Sequence, residues 1–201
     1  IGLKRLDNLQ VLTEEVIRKG IPGDLIEAGA WKGGATIFMR AILKAHDVKD
    51  RKVWVADSFE GVPPPNDTVY PADAGNKLYE QDELAVSVDR VQTNFRMFGL
   101  LDDQVRFLKG WFKDSLPNAP IDKLAILRID ADLYESTTDA LTHLYPKLVP
   151  GGYVIIDDYG AMETCARAVR DYRAMHRITE KVERIDWTGV YWQKSQEAEH
   201  R

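Results

Sequence analysis

Asp24-Leu-Ile-Glu-Ala-Gly-Ala-Trp-Lys-Gly-Gly-Ala-Thr-Ile-Phe-Met-Arg-Ala-Ile-Leu-Lys44 passes from an apolar block, through a turn rich in glycine, into residues spaced as on a helix. A buried strand that turns on glycines into a helix is the opening of a βαβ unit. The same alternation recurs along the chain. Asp24 to Ala30, Val53 to Phe59, Val105 to Trp111, Leu124 to Ala131 and Gly152 to Tyr159 read as buried parallel strands. Gly34 to Lys44, Leu84 to Phe98, Ser136 to Tyr145 and Ala161 to His176 read as the helices among them. Alternation of this kind implies right-handed crossovers and a doubly wound α/β sheet with helices on both faces.

The flanks extend that frame. Leu3, Leu6, Leu9, Leu12, Val16 and Ile17 recur at helical spacing and give way to Gly20 and Pro22, which predicts an amphipathic first helix. Val182 to Trp187 and Gly189 to Lys194 are strand-like runs with only a turn between them, which predicts an antiparallel hairpin completing seven strands. Trp187, Tyr191 and Trp192 are expected to pack that hairpin. Gly61 to Asp82 breaks the rhythm, with Pro63, Pro64, Pro65 and Pro71 and no periodicity. A loop of this length in a compact domain serves a ligand or stands out as a surface insertion. Its place after the second strand favours a lid or substrate loop.

With 201 residues and 44% apolar composition, one domain with a substantial core accounts for the whole chain. The apolar runs, such as Leu124 to Leu127, fall far short of the roughly 20 residues that span a bilayer. A net charge of -5 and a pI near 5.4 argue against nucleic-acid binding and for a small-molecule partner. The single cysteine, Cys165, excludes a disulfide framework and makes a reducing cytoplasm the natural setting. The chain opens at Ile1, and Lys4, Arg5 and Asp7 interrupt any apolar leader, so residues upstream are expected to be missing.

Three constellations carry chemistry. In Glu27-Ala-Gly-Ala-Trp-Lys-Gly-Gly34 the glycines fall at 29, 33 and 34, which is not the G-x-G-x-x-G of dinucleotide binders. Glycines at a helix N-terminus let backbone amides approach a ligand. The Glu27 carboxylate suits the ammonium of an amino-acid-like ligand, Gly29 makes room beside its sulfur, and Trp31 shares the turn. A plain strand-to-helix turn is the alternative. Asp57, closing the second strand ahead of Ser58, stands where Rossmann sheets bind ribose hydroxyls. Asp130 and Asp132, then Asp157 and Asp158, all stand where buried strands end. Four converging carboxylates repel one another unless a cation offsets them, and oxygen ligands without nearby His or Cys favour magnesium over zinc. Capping of the helix near Ser136 by Asp132 is the competing explanation. Trp111 and Phe112 are candidates for stacking on adenine, or for the core. His46, His143 and His176 fit helix surfaces, and His200 lies in a polar tail.

Asp-Ser-Phe-Glu-Gly (57 to 61), Lys-Gly-Trp-Phe (109 to 112), Ile-Asp-Ala-Asp-Leu-Tyr-Glu-Ser (129 to 136) and Ile-Asp-Asp-Tyr-Gly (156 to 160) together resemble the macrocin O-methyltransferase family, which includes macrolide and aminocoumarin sugar methyltransferases. The resemblance runs from Ile1 to the Tyr191-Trp192 strand. It implies a Rossmann-like class I methyltransferase fold, S-adenosylmethionine and magnesium. Asp130, Asp157 and Asp158 would then hold the metal, Asp132 would be the general base, and Glu27, Gly29, Asp57, Ser58, Gly110 and Trp111 would line the cofactor site with Trp31, Phe112 and Asp130. The implied acceptor is a deoxysugar hydroxyl on a glycosylated natural product, as in antibiotic biosynthesis. Members usually carry further residues before the segment at Ile1, some touching cofactor and substrate. That absent segment and the first helix leave room for a homo-oligomer. Catechol-type O-methyl transfer, a nicotinamide-dependent oxidoreductase and a non-catalytic binding module stay as alternatives.

Overall fold

The computed structural model describes residues 1–195, so His200 lies outside the described residues. The elements in order are α1 (Leu3–Arg18), β1 (Asp24–Ala28), α2 (Gly34–Ala45), β2 (Val53–Asp57), α3 (Val88–Met97), β3 (Val105–Lys109), α4 (Phe112–Ser115), β4 (Leu124–Ile129), α5 (Tyr134–Leu144), β5 (Leu148–Ile156), α6 (Glu163–Met175), β6 (Glu183–Arg184) and β7 (Val190–Gln193). They form one seven-stranded sheet in the order β3-β2-β1-β4-β5-β7-β6. β1 to β5 run parallel, β7 is antiparallel to β5, and β6 is antiparallel to β7.

The strands are buried on both sides, so their apolar residues alternate between opposite layers. Leu25 and Ile126 face one layer, with Leu9, Leu12 and Val16 of α1 and Met39 of α2. Ile26 and Leu127 face the other, with Leu141 of α5, Val169 of α6 and Trp192 of β7. Each fully buried Leu or Val there contributes roughly 1.5–3 kcal/mol by leaving water. A third cluster under α3 joins Val55, Val91 and Phe95. Among the described residues no helix is long and apolar enough to cross a membrane.

Several boundaries differ from the sequence reading for local reasons. The first four strands stop about two residues early, because Gly29, Trp31, Phe59, Gly110 and Asp132 leave the extended conformation with positive φ. α3 starts at Val88 and not Leu84, since Ser87 accepts a hydrogen bond from the Arg90 amide and caps it there. Gly61 to Asp82 holds two single 3-10 turns, Pro71–Asp73 and Leu78–Glu80. Trp192 is buried under the Arg173 guanidinium as the hairpin requires, but Trp187 is 68% exposed and lies outside the core. Leu3 is also exposed, because it falls on the solvent side of the first turn of α1.

What this topology gives function is a switch point. From β1 the chain crosses to β2 and β3 on one side, then returns to β4 on the other. Loops leaving β1 and β4 therefore part in opposite directions and open a crevice at the carboxyl ends of the strands, where ligands of such sheets bind.

Candidate active site

The crevice is built first from backbone. Gly29 leaves β1 at φ +92 with its amide on the Ala56 carbonyl, and a Cβ placed on it would lie 1.8 Å from the Asp130 carbonyl oxygen. Only glycine allows the β1 and β4 ends to come this close. Asp57 then holds the turn in shape. Its Oδ2 accepts from the amides of Ala30 at 2.8 Å and Trp31 at 2.9 Å, and its Oδ1 accepts from Phe59 at 2.7 Å. Burial raises the Asp57 pKa against the pull of those amides. Ser58 donates its hydroxyl to the Gly61 carbonyl at 2.7 Å, and the Trp31 indole donates to the Glu83 carbonyl at 2.8 Å. The second bond ties the turn to the segment between β2 and α3, and the first closes the start of that segment.

A cavity of about 450 Å³ opens beside this turn. Its wall contains Gly29, Trp31, Asp57, Ser58, Gly110, Trp111, Phe112, Asp130 and Asp132. Pro63, Pro64 and Asn66 of the long segment close one side, and Glu135, Ser136 and Asp139 of α5 another. Glu27 is not on the wall. It lies 2% exposed beneath it, paired with Arg128, while its Oε2 is buried without a hydrogen-bond partner. Burial pushes the Glu27 carboxyl up to about 8 against the attraction of Arg128.

The acids meet at the β4 and β5 ends. Asp130, Asp157 and Asp158 each bring a carboxylate oxygen within 4.8 Å of the others. Burial, then the charges of Asp130, Asp132 and Asp157, pushes Asp158 up to about 9, and its Oδ2 is buried without a partner. An orphaned oxygen in an all-oxygen donor set fits a hard divalent cation. Asp132 is raised to about 6 by burial and then by Asp130 and Asp157. Its backbone takes φ 55, a left-handed conformation costing roughly 1–2 kcal/mol that Asp tolerates better than most residues. The Asp132 carbonyl accepts from the Thr164 hydroxyl at 2.7 Å.

Three participants went unread in the sequence. Arg128, fully buried on β4, donates to Glu27 and Asp157 and reaches Asp130 at 2.9 Å. Arg5 of α1 pairs with Asp157 and, at 3.1 Å, with Asp186. The acids are thus offset in part by the chain's own cations. A signal for Arg128 was present, since an arginine within an apolar strand is buried only with partners. The third is Asp73, which accepts from the amides of Tyr134 at 2.7 Å and Glu135 at 2.9 Å. Asp73, and not Asp132, therefore caps α5. Cys165 is buried, with burial first and nearby acids second pushing its thiol up, as an inert packing residue requires. His46 sits on the surface against Glu14, and His176 lies against the Tyr172 ring.

The profile of the macrocin O-methyltransferase family matches residues 1–194. The 4'-O-methyltransferase of Streptomyces olivaceus that acts on 8-demethyl-8-(2,3-dimethoxy-alpha-L-rhamnosyl)-tetracenomycin C is 56% identical over 193 residues, 96% of this chain and 74% of that protein. Demethyldecarbamoylnovobiocin O-methyltransferase of Streptomyces niveus is 56% identical over 196 residues, 97% and 75% of the two chains. The solved structure of the O-methyltransferase NovP superposes with a TM-score of 0.96 at 55% identity, covering 98% of this chain and 81% of that one.

Proposed function

The chain belongs to the macrocin O-methyltransferase family, and from that premise we propose that it transfers the methyl group of S-adenosylmethionine to a hydroxyl of a deoxysugar carried by a natural product, with magnesium bound. The observation that carries this reading is the meeting, in one crevice, of a nucleoside-type wall with Asp130 and Asp132, Asp130 being joined off the wall by Asp157 and Asp158. Membership in a methyltransferase family sets the nicotinamide reading aside. The two Streptomyces enzymes act on sugar-bearing or antibiotic substrates by their names, and a cavity of about 450 Å³ is of the size that holds small ligands.

Each residue has a part suited to its place. Gly29 gives the donor's amino-acid end room against the backbone, and Glu27, beneath the wall with its Oε2 unpartnered, would accept the donor's ammonium once uncovered. Three amide bonds hold Asp57 still and leave about one acceptor site, on Oδ1, for a ribose hydroxyl. Ser58 and Gly110 shape the wall, and Trp111 and Phe112 offer rings to adenine. Asp130, Asp157 and Asp158 are the residues that would hold magnesium. When bound, that ion supplies charge that lowers the pKa of an acceptor hydroxyl and orients it.

Asp132 takes the proton. Burial, the first cause of its raised pKa, makes its carboxylate more basic than an ordinary aspartate's, which suits a general base worth roughly 10²- to 10⁴-fold. The acceptor oxygen bonds to the methyl carbon as the carbon–sulfur bond breaks, sulfur keeps the electron pair, and the hydroxyl proton goes to Asp132. The wall's main contribution is to keep oxygen, carbon and sulfur in line. Gly61 to Asp82 is the substrate loop, and its Pro63 and Pro64 narrow the acceptor side. The acidic chain with one buried thiol fits a small-molecule enzyme of a reducing cytoplasm.

The test is an acceptor panel with S-adenosylmethionine and magnesium, read by mass spectrometry with the methylated position assigned by NMR. Methylation of a sugar hydroxyl in rhamnosylated polyketides or related glycosides is expected. Methylation of simple catechols with glycosides untouched would overturn the reading.

A further inference from the structure

The segment between β2 and α3 reaches the acidic rim at a point the reaction itself does not use. Asp73 is fully buried, 61 residues before the amides of Tyr134 and 62 before those of Glu135 that its two oxygens accept. Leu133, in the N-cap position of α5, has no side-chain acceptor to offer. The Tyr70 ring, in the same segment, lies 6.2 Å from that of Tyr134. Two residues before Tyr134 stands Asp132, in a left-handed conformation, with its carbonyl held by Thr164 of α6. The turn that presents Asp132 is thus anchored at one end by Thr164 and at the other by Asp73. The segment that supplies Asp73 also supplies Pro63, Pro64 and Asn66 to the cavity wall.

We propose that Asp73 is a positioning residue for the base: docking of the 61–82 segment through its carboxylate fixes the start of α5 and with it the direction of Asp132. Enclosing the acceptor and aiming the base are then one event. Asp73 touches no reacting atom and acts through two backbone amides. A charged acceptor on two amide donors is a strong, directional link, and the turn it fixes is only one residue long beyond Asp132. This inference rests on the reading of Asp132 as base.

The experiment compares Asp73→Ala, Asp73→Asn, Thr164→Val and the double variant of Asp73→Ala with Thr164→Val against the unaltered enzyme in kcat, KM, donor dissociation constant by calorimetry, and amide exchange at Tyr134 and Glu135. Misdirecting the base should lower kcat of Asp73→Ala on the order of 10- to 100-fold. Donor affinity should stay within about twofold, since additivity holds for sites with no shared partners. Exchange should rise at the two amides while the sheet stays protected. Asp73→Asn, which keeps one acceptor oxygen, should fall between. Thr164→Val should lower kcat as well, and less than additively with Asp73→Ala, because both hold the same turn. The proposal is overturned if folded Asp73→Ala turns over normally, or if kcat and donor affinity fall together as in general loosening. Should Asp73→Ala not fold, Asp73→Asn and Thr164→Val decide the matter by the same criteria. Asp132→Asn in the same series separates the two ideas: if it is inactive beside a fully active Asp73→Ala, only the positioning role fails, and if it is active, the base assignment fails.

Discussion

Arg128 donates to Glu27 from inside the acidic rim, both side chains buried, and the same guanidinium holds Asp157 and Asp130. Burial disfavours its charge, but Glu27, Asp130 and Asp157 outweigh that and hold its pKa above the usual arginine value. Removing one partner of such a network leaves buried charge unpaired, at a cost of roughly 3–5 kcal/mol. Arg128→Met should lose about that much stability in urea unfolding at neutral pH. Arg128→Lys should restore little, because an ammonium is a point charge and cannot fork between carboxylates. A loss below about 1 kcal/mol, the scale of an exposed pair, would mean the pairing is incidental.

Gly29 cannot carry a side chain. A Cβ at φ +92 would overlap the Asp130 carbonyl, and the clash is with backbone on both sides. Gly29→Ala should lose more than about 3 kcal/mol, the upper range of strain and overpacking costs. If it stays folded, donor binding should vanish with the turn. Wild-type stability and donor affinity in that variant would show that the β1 and β4 ends do not meet.

Asp139, on the cavity side of α5, is pushed up to about 6 by burial first and by Glu135 second, against the pull of Lys113. Its folded pKa exceeds the ordinary value of 3.8, so the folded state binds more protons between those two values. Stability contributed by its neutral form is therefore present below about pH 4 and lost as pH rises through about 6. Discounted for partial solvent exposure, the rise from 3.8 to about 6 amounts to about 1 kcal/mol. Asp139→Asn should raise the unfolding midpoint at pH 7.5 and leave it unchanged near pH 4. Equal effects at both pH values would remove titration as the cause.

The clustered carboxylates should bind magnesium without any acceptor present. Calorimetry should show heat for magnesium added to the protein with S-adenosylmethionine, and Asp158→Asn should weaken that binding by roughly tenfold or more, since even outer-shell partners cost that much. Chelation should abolish turnover and be reversed by added magnesium. No heat with the unaltered protein, together with full activity in chelator, would mean that Arg5 and Arg128 alone balance the acids.

The frame of the fold was legible because it depends on local pattern. Leu25 and Ile26, or Ile126 and Leu127, are adjacent apolar residues that point to opposite layers, and only a sheet covered on both faces buries both. The acids at 130, 132, 157 and 158 were legible as a group because strand ends of a parallel sheet share one edge. Pairings across space were not. Arg5 and Asp157 are 152 residues apart, and no periodicity announces a contact made only after α1 docks on β4 and β5. Asp73 looked like one more polar residue of an irregular loop, though it is fully buried. Strand ends were overread because hydropathy does not report positive φ, which Trp31, Phe59 and Asp132 adopt just past them.

The central claim, that Asp132 receives the acceptor proton, has one direct measurement: single-turnover methyl transfer by Asp132→Asn set beside its donor affinity from calorimetry. The side chain keeps its size and loses its basicity, so the transfer rate should fall on the order of 10²-fold or more while donor affinity stays within about twofold. A transfer rate close to that of the unaltered enzyme would contradict the assignment and send the search for the base elsewhere on the cavity wall.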